Sequence, residues 1–408
     1  MFGKDGWVDS MNGVDMLPGV DSVINLNCHI CGEQTLNLVP SYSTLPRVAS
    51  DCVPWRSGGR LGICTSCLCV QNPVDKDWHS ETAEVYAQYK IYTQSAGNEQ
   101  SVVSSGKELV PRSTKVFQQL LSYLDLNKPG RLLDIGCANG SLLRYFGTLA
   151  PNWKMVGFEI DNKRRSEVES IPGVEAFVSG SLDNIMKSFD LITLIHVFEH
   201  IPYPSNWLEN LKKLLNPNGM VVIQVPNPMQ NPFNLLIADH CSHFIMPDLI
   251  NIVHKAGYEV ITSSSKWVSR ELSILIRPAE FNHTDIKSPD RVINEERFSS
   301  YPESAVQWLH HITQQVESLP KDKPRGIWGT AIAATWLFSL MDGNVEFFID
   351  EDANRIGQEH LGLPIYSPET VPKESIIFVA LTPEIAKNIV SRWSHLDVSF
   401  FVPEDLVS

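Results

Sequence analysis

Between Arg131 and Leu143 the chain reads Arg-Leu-Leu-Asp-Ile-Gly-Cys-Ala-Asn-Gly-Ser-Leu-Leu, and no other stretch limits the fold so much. Leu132 to Ile135 is a short apolar run, as a buried parallel strand requires. Gly136 and Gly140 then permit a tight turn, and Ser141 to Phe146 reads as a helix. Strand, glycine turn and helix place a ligand at the carboxyl edge of a doubly wound sheet. A glycine has no Cβ, so its backbone can approach that ligand closely. Asp134, at the strand end, can accept a hydrogen bond from a bound cation or amine. The order Asp134-x-Gly136-x-Ala138-x-Gly140 is not the Gly-x-Gly-x-x-Gly fingerprint of a dinucleotide site.

The following residues extend the pattern. Lys154 to Asp161 is apolar and ends in acids about 20 residues after the turn, where a carboxylate can hold both ribose hydroxyls of an adenosine. Glu159 is the first candidate for that role. Asp161 is the second, with a helix N-cap as its other reading. Val174 to Val178 is expected as strand three, followed by Ser181, and Phe189 to Ile195 as strand four. Strand four leads into His196-Val-Phe-Glu199-His200-Ile-Pro202. These four segments, taken in order, resemble the class I S-adenosylmethionine-dependent methyltransferases, whose first motif is Asp/Glu-x-Gly-x-Gly-x-Gly. Ala138 replaces its middle glycine. The resemblance implies an α/β, Rossmann-like core. Asp134, Gly136, Gly140, Glu159, Asp161, Ser181 and His196 would face the cofactor. His196, Glu199 and His200 can equally touch substrate, cap a helix or sit in the core.

Two cysteine pairs precede this core. Cys28-His-Ile-Cys31 and Cys64-Thr-Ser-Cys67 are Cys-x-x-Cys knuckles with 32 residues between them. Two such pairs can close a tetrahedral thiolate site around a structural zinc ion. Asn37 to Arg60 must then be an excursion, and Cys52, Cys69 and His29 are expected to be non-ligands. The 33 Lys and Arg against 47 Asp and Glu give a formal net charge of −14, which disfavours a nucleic-acid partner. No apolar run approaches the roughly 18 residues of a membrane helix. A cytoplasmic protein with reduced thiols is the expectation. Residues 1–22 are expected to be a loose leader. Pro111 to Leu124 is expected as an amphipathic helix, with Val116, Leu120, Leu121 and Leu124 on one face.

After strand five (Met220 to Val225) come Pro226-Asn-Pro228, then Ile237-Ala-Asp239-His240-Cys-Ser-His243. A four-cysteine module, a segment ending near Tyr92 to Ser95, a methyltransferase core and a second α/β unit resemble the sugar C-methyltransferases. Those enzymes methylate a carbon beside a ketone in a nucleotide-linked deoxysugar. The resemblance puts Asp239 and His240 on that family's Glu-His base, Ile237 where it has tyrosine, and His243 on an aromatic position. Histidine titrates near neutrality and suits proton abstraction, as transfer to carbon requires. The same histidine could serve an O- or N-methyltransferase on another glycan or metabolite.

The expected division is 1–22 leader, 23–84 zinc-binding domain, 85–280 methyltransferase domain and 281–408 C-terminal Rossmann-like domain, with a polar linker over 279–300. In the last domain Gly329-Thr-Ala331 and Asp350-Glu-Asp352 repeat the turn and strand-end acid, with too few glycines for a dinucleotide. A third reading, a non-catalytic scaffold in glycan assembly, keeps the fold without the chemistry.

Overall fold

The computed structural model describes residues 26–33, 36–90, 101–103, 109–279, 295–320 and 322–405. The expected leader over 1–22 and the Tyr92–Ser95 segment lie outside the described residues.

A seven-stranded sheet forms the centre. Its order is Val174–Ser179, Lys154–Glu159, Arg131–Ile135, Phe189–Ile195, Leu215–Pro226, Glu271–Pro278 and Tyr258–Ser264. The first five strands are parallel, and Glu271–Pro278 runs antiparallel to both its neighbours, Leu215–Pro226 and Tyr258–Ser264. Leu132, Leu133, Leu191, Ile192 and Leu194 are fully buried, because helices cover both faces. The order reverses between Arg131–Ile135 and its neighbour Phe189–Ile195, and a doubly wound sheet opens its ligand crevice at such a switch point. The expected helix over 111–124 is shorter, Arg112–Leu120. Phe117 fills the core position expected of Leu121, which is 46% exposed beyond the helix end.

The cysteine-bearing module forms a small sheet from Leu36–Leu38, Gly62–Cys64 and Val70–Gln71. Its fourth strand is Ser242–His243, which returns from the central domain and pairs antiparallel with Val70–Gln71. Tyr42 and Val48 of the excursion, with Leu61 and Val70 of the same module, share one core with Phe233, Leu235 and Leu236 and with Trp308, Ile312, Ile327 and Phe348. The Tyr42 hydroxyl donates to the Leu235 carbonyl at 2.6 Å. The three units therefore bury apolar surface together. Helix Lys76–Gln88 runs across the expected 84/85 division, and helix Glu295–Glu317 begins inside the expected linker. The C-terminal sheet runs Glu359–His360, Leu363–Tyr366, Phe347–Ile349, Arg325–Trp328, Ile376–Val379, Ser399–Phe401 and is parallel except at Glu359–His360. Among the described residues, no helix is long and apolar enough to cross a membrane.

One buried ion pair fastens the excursion to helix Lys76–Gln88. Arg47, 3% exposed, gives both terminal nitrogens to Glu81 at 2.5 and 2.8 Å, and Trp55 Nε1 donates to the same carboxylate at 2.9 Å. Arg47→Ala strands a half-buried carboxylate, so about 3–5 kcal/mol of stability should be lost in urea unfolding. Burial alone would raise Glu81, but Arg47 outweighs it and holds the carboxyl below its usual range. A depressed carboxyl stabilises the fold above its unfolded value, about 4.3, and that contribution disappears as pH falls through the lower folded value.

Candidate active site and metal centre

The glycine turn forms as its residues require. Gly136, Ala138 and Gly140 all take left-handed backbone angles, with φ of +74°, +50° and +78°. A Cβ on Gly136 would lie 2.4 Å from Val197 Cγ2, and one on Gly140 would lie 2.4 Å from Ile171 Cδ1. Glu159 closes the turn from the next strand: Oε1 accepts from Ala138 N at 2.9 Å and Oε2 from Ile160 N at 3.0 Å. One lone pair on each oxygen is thereby used, and a second remains for paired hydroxyls. Burial raises the Glu159 carboxyl above its usual range, opposed by those two amides.

The other expected cofactor residues sit differently. Asp134 is 3% exposed, and its Oδ1 accepts from Thr193 Oγ1 at 2.6 Å, so it binds two strands together. Asp161 is exposed and holds Lys163 through the backbone amide and the ammonium, both at 2.9 Å. Ser181 caps a short helical turn by accepting from Asp183 N at 3.2 Å. His196, at φ +55°, lies between two carboxylates, with Nδ1 3.3 Å from Glu199 and Nε2 3.2 Å from Glu271. Burial and Arg112 pull that imidazole down, but Glu271 and Glu199 outweigh them and hold it above its usual range.

The Asp239–His243 segment lies against the post-strand-four segment. Cys241 N donates to the Glu199 carbonyl at 3.0 Å. His240, 4% exposed, places Nε2 4.0 Å from Glu199 Oε1, and its ring stands edge-on to His200 with centroids 4.6 Å apart. Burial first, then His200, His243 and His196, pull His240 well below the imidazole range, which leaves the ring neutral. Asp239 is fully buried: Oδ1 accepts from Ser50 N at 2.9 Å, Oδ2 from Ser50 Oγ at 2.5 Å, and Oδ2 lies 3.4 Å from His200 Nδ1. His243 is 3% exposed on the Ser242–His243 strand, its ring centroid 6.2 Å from that of His240, and burial pushes it down to about 3.

Residues outside the expected set of site residues complete the cluster. Tyr86, from helix Lys76–Gln88, lies 3.2 Å from His200 Nδ1 through its hydroxyl. Burial first, then Asp239, Tyr89, Cys241 and Glu159, push its phenol well above the usual range. Tyr86 and Tyr89 carried a weak signal, an aromatic-rich stretch. Ser50 and Glu271 carried none.

The four sulfurs of Cys28, Cys31, Cys64 and Cys67 all lie within 4.8 Å of one another. The Cys28–Cys67 and Cys31–Cys64 separations are each 3.6 Å. Tetrahedral zinc–sulfur bonds of about 2.3 Å imply edges of about 3.8 Å, whereas a disulfide needs about 2.05 Å. Each knuckle also folds its backbone on the first sulfur, with Cys31 N to Cys28 Sγ and Cys67 N to Cys64 Sγ at 3.4 Å. The donor set therefore fits a tetrahedral thiolate-bound ion. His29 turns away, its Nε2 2.9 Å from Ser242 Oγ, and Gln71 Nε2 donates to Cys28 Sγ at 2.9 Å.

In the C-terminal sheet the strand-end acid is already engaged. Arg355, 7% exposed, lies 3.1 Å from Asp350 Oδ2 and donates to Thr330 Oγ1 at 2.8 Å.

Residues 111–263 match a family described as a methyltransferase domain. A ubiquinone biosynthesis O-methyltransferase of Paraburkholderia phymatum is 31% identical over 106 residues, covering 24% of this chain and 44% of that protein. A trans-aconitate 2-methyltransferase of Rhodopseudomonas palustris is 23% identical over 129 residues, 31% of this chain and 50% of that protein. The C-methyltransferase NovU of Streptomyces niveus is 22% identical over 214 residues, 49% of this chain and 50% of that protein. The chain spans half or less of the length of these curated relatives. It carries a class I S-adenosylmethionine-dependent methyltransferase domain.

Proposed function

We propose that the chain carrying this S-adenosylmethionine-dependent methyltransferase domain moves the sulfonium methyl to a small acceptor, a carbon of a nucleotide-linked keto-sugar, and holds a structural zinc ion in its four-cysteine module. Gly136, Gly140 and Glu159 hold the cofactor. His240 activates the acceptor, with Asp239 and Ser50 fixing His200 beside it. His243 lies on the strand that ties this segment to the zinc module. Bound S-adenosylmethionine supplies an electrophilic methyl group. The chain's own residues align the acceptor, exclude water and help its proton leave.

The observation that carries the reading is the seating of Asp239–His243. A polar segment is buried at the carboxyl edge of the sheet, paired through Ser242–His243 with Val70–Gln71 of the cysteine module. A zinc ion at Cys28, Cys31, Cys64 and Cys67 would therefore brace the acceptor side of the site as well as its own knuckles. The acidic balance of the chain favours a small acceptor over a nucleic acid.

A panel of nucleotide-linked keto-sugars, incubated with methyl-labelled S-adenosylmethionine, tests the acceptor. One sugar nucleotide should gain the label on a carbon next to its ketone, located by NMR. Label on an oxygen or nitrogen, or on a different class of metabolite alone, would remove the sugar C-methylation reading. His240→Ala should keep S-adenosylhomocysteine affinity and lower turnover by about 10²–10⁴-fold. Full activity in that variant would sink the role given to His240.

A further inference from the structure

Glu199 presents a problem that methyl transfer alone does not explain. Its side chain is 2% exposed, and neither carboxylate oxygen receives a hydrogen bond. A carboxylate buried that way is costly unless a cation or strong donors reach it. The groups around it are imidazoles. His196 Nδ1 lies 3.3 Å and His240 Nε2 4.0 Å from Oε1, too poorly aligned or too far for hydrogen bonds. Donor atoms of Glu199, His200 and His240 all fall within 4.8 Å of one another.

From this geometry we infer a second metal site, in which Glu199, His200 and His240 bind one divalent first-row cation at the acceptor end of the crevice. Two imidazoles and a carboxylate suit borderline ions of that row and leave coordination positions open. The site is separate from the four-cysteine centre in both residues and chemistry. Its surroundings are those of a built site. His200 Nδ1 lies 3.4 Å from Asp239 Oδ2 and 3.2 Å from the Tyr86 hydroxyl, and Asp239 is itself fixed by Ser50. A carboxylate behind a ligating histidine orients the ring and strengthens it as a ligand. His196, with Nδ1 3.3 Å from Glu199 and Nε2 3.2 Å from Glu271, closes the other side of the carboxylate.

The inference rests on the proposed methyl transfer for its meaning. Open positions on the ion would take an acceptor oxygen and stabilise its negative charge once the proton has left. As a ligand His240 acts through the cation and does not take the proton itself, which passes to solvent water.

The test uses the full chain loaded with zinc at the cysteines, passed over chelating resin and titrated with Co²⁺. Elemental analysis should find one Co²⁺ per chain with the zinc retained. The visible spectrum should show weak ligand-field bands and no sulfur-to-metal charge transfer. Glu199→Gln and His240→Gln should each weaken Co²⁺ binding by about tenfold or more, while zinc content and S-adenosylhomocysteine affinity stay at wild-type values. No bound Co²⁺, a thiolate spectrum, or unchanged binding in Glu199→Gln would overturn the second site. Methyl transfer by protein that binds no second cation would overturn this site and leave the methyltransferase reading intact. Co²⁺ binding without S-adenosylhomocysteine binding would do the reverse.

Discussion

Gly136→Arg is expected to weaken S-adenosylhomocysteine binding by about 1,000-fold, or roughly 4 kcal/mol. Gly136 sits at φ +74°, where a residue with a Cβ loses about 1–2 kcal/mol by conformation alone. Its Cβ would meet Val197 Cγ2 at 2.4 Å, far inside the ~3.5–4.0 Å of ordinary carbon contact. Val197 belongs to the segment that carries His196, Glu199 and His200, so the clash would also disturb the acceptor side. The guanidinium would then fill the space against the turn that the cofactor needs. Glu159→Gln provides a milder companion. It keeps the side chain's shape, loses its charge and replaces one acceptor oxygen with a donor, so affinity should fall by about tenfold, the loss of a charge-assisted hydrogen bond. Wild-type affinity in both variants would remove the turn from the cofactor site.

The second large effect is expected from Cys64→Ser combined with Cys67→Ser. Zinc content should fall from one ion per chain to none. Thiolate ligation supplies about 10–16 kcal/mol in small zinc-binding peptides, so the knuckles should open. Here the consequence extends beyond them. Ser242–His243 pairs with Val70–Gln71, His29 reaches Ser242, and Gln71 bridges to Cys28. The double variant should therefore lose turnover as well as zinc, while S-adenosylhomocysteine still binds at a turn that lies in the other sheet. Zinc retained at one equivalent would contradict the ligand set. Gln71→Leu separates bracing from ligation. It should keep zinc and lose about 1–3 kcal/mol of stability through its unpaired neighbours.

The legible parts of this molecule were local in sequence. The strand–turn–helix at Arg131–Leu149, the acid after the second strand and the Cys-x-x-Cys knuckles each declare themselves within a dozen residues. The parallel strands also declared themselves, because burial on both faces leaves uninterrupted apolar runs. Contacts between distant segments were hidden. Asp239 is fixed by Ser50, 189 positions away, and His200 by Tyr86, 114 positions away. No spacing rule links such residues. Asp134 illustrates the opposite difficulty. It stands where a ligand-binding acid could stand, yet its Oδ1 is taken by Thr193 on the neighbouring strand. Helix Lys76–Gln88 crosses an expected domain division because the cysteine module, the central sheet and the C-terminal sheet share apolar cores, which composition cannot reveal.

Calorimetric titration of the purified wild-type chain with S-adenosylhomocysteine tests the central claim most directly, run alone and then with nucleotide-linked keto-sugars present. The account predicts saturable binding of one molecule per chain, with an affinity that changes when one sugar nucleotide is added. A folded, zinc-loaded protein that takes up no S-adenosylhomocysteine at any concentration reached would contradict it, and the glycine turn would then belong to a scaffold.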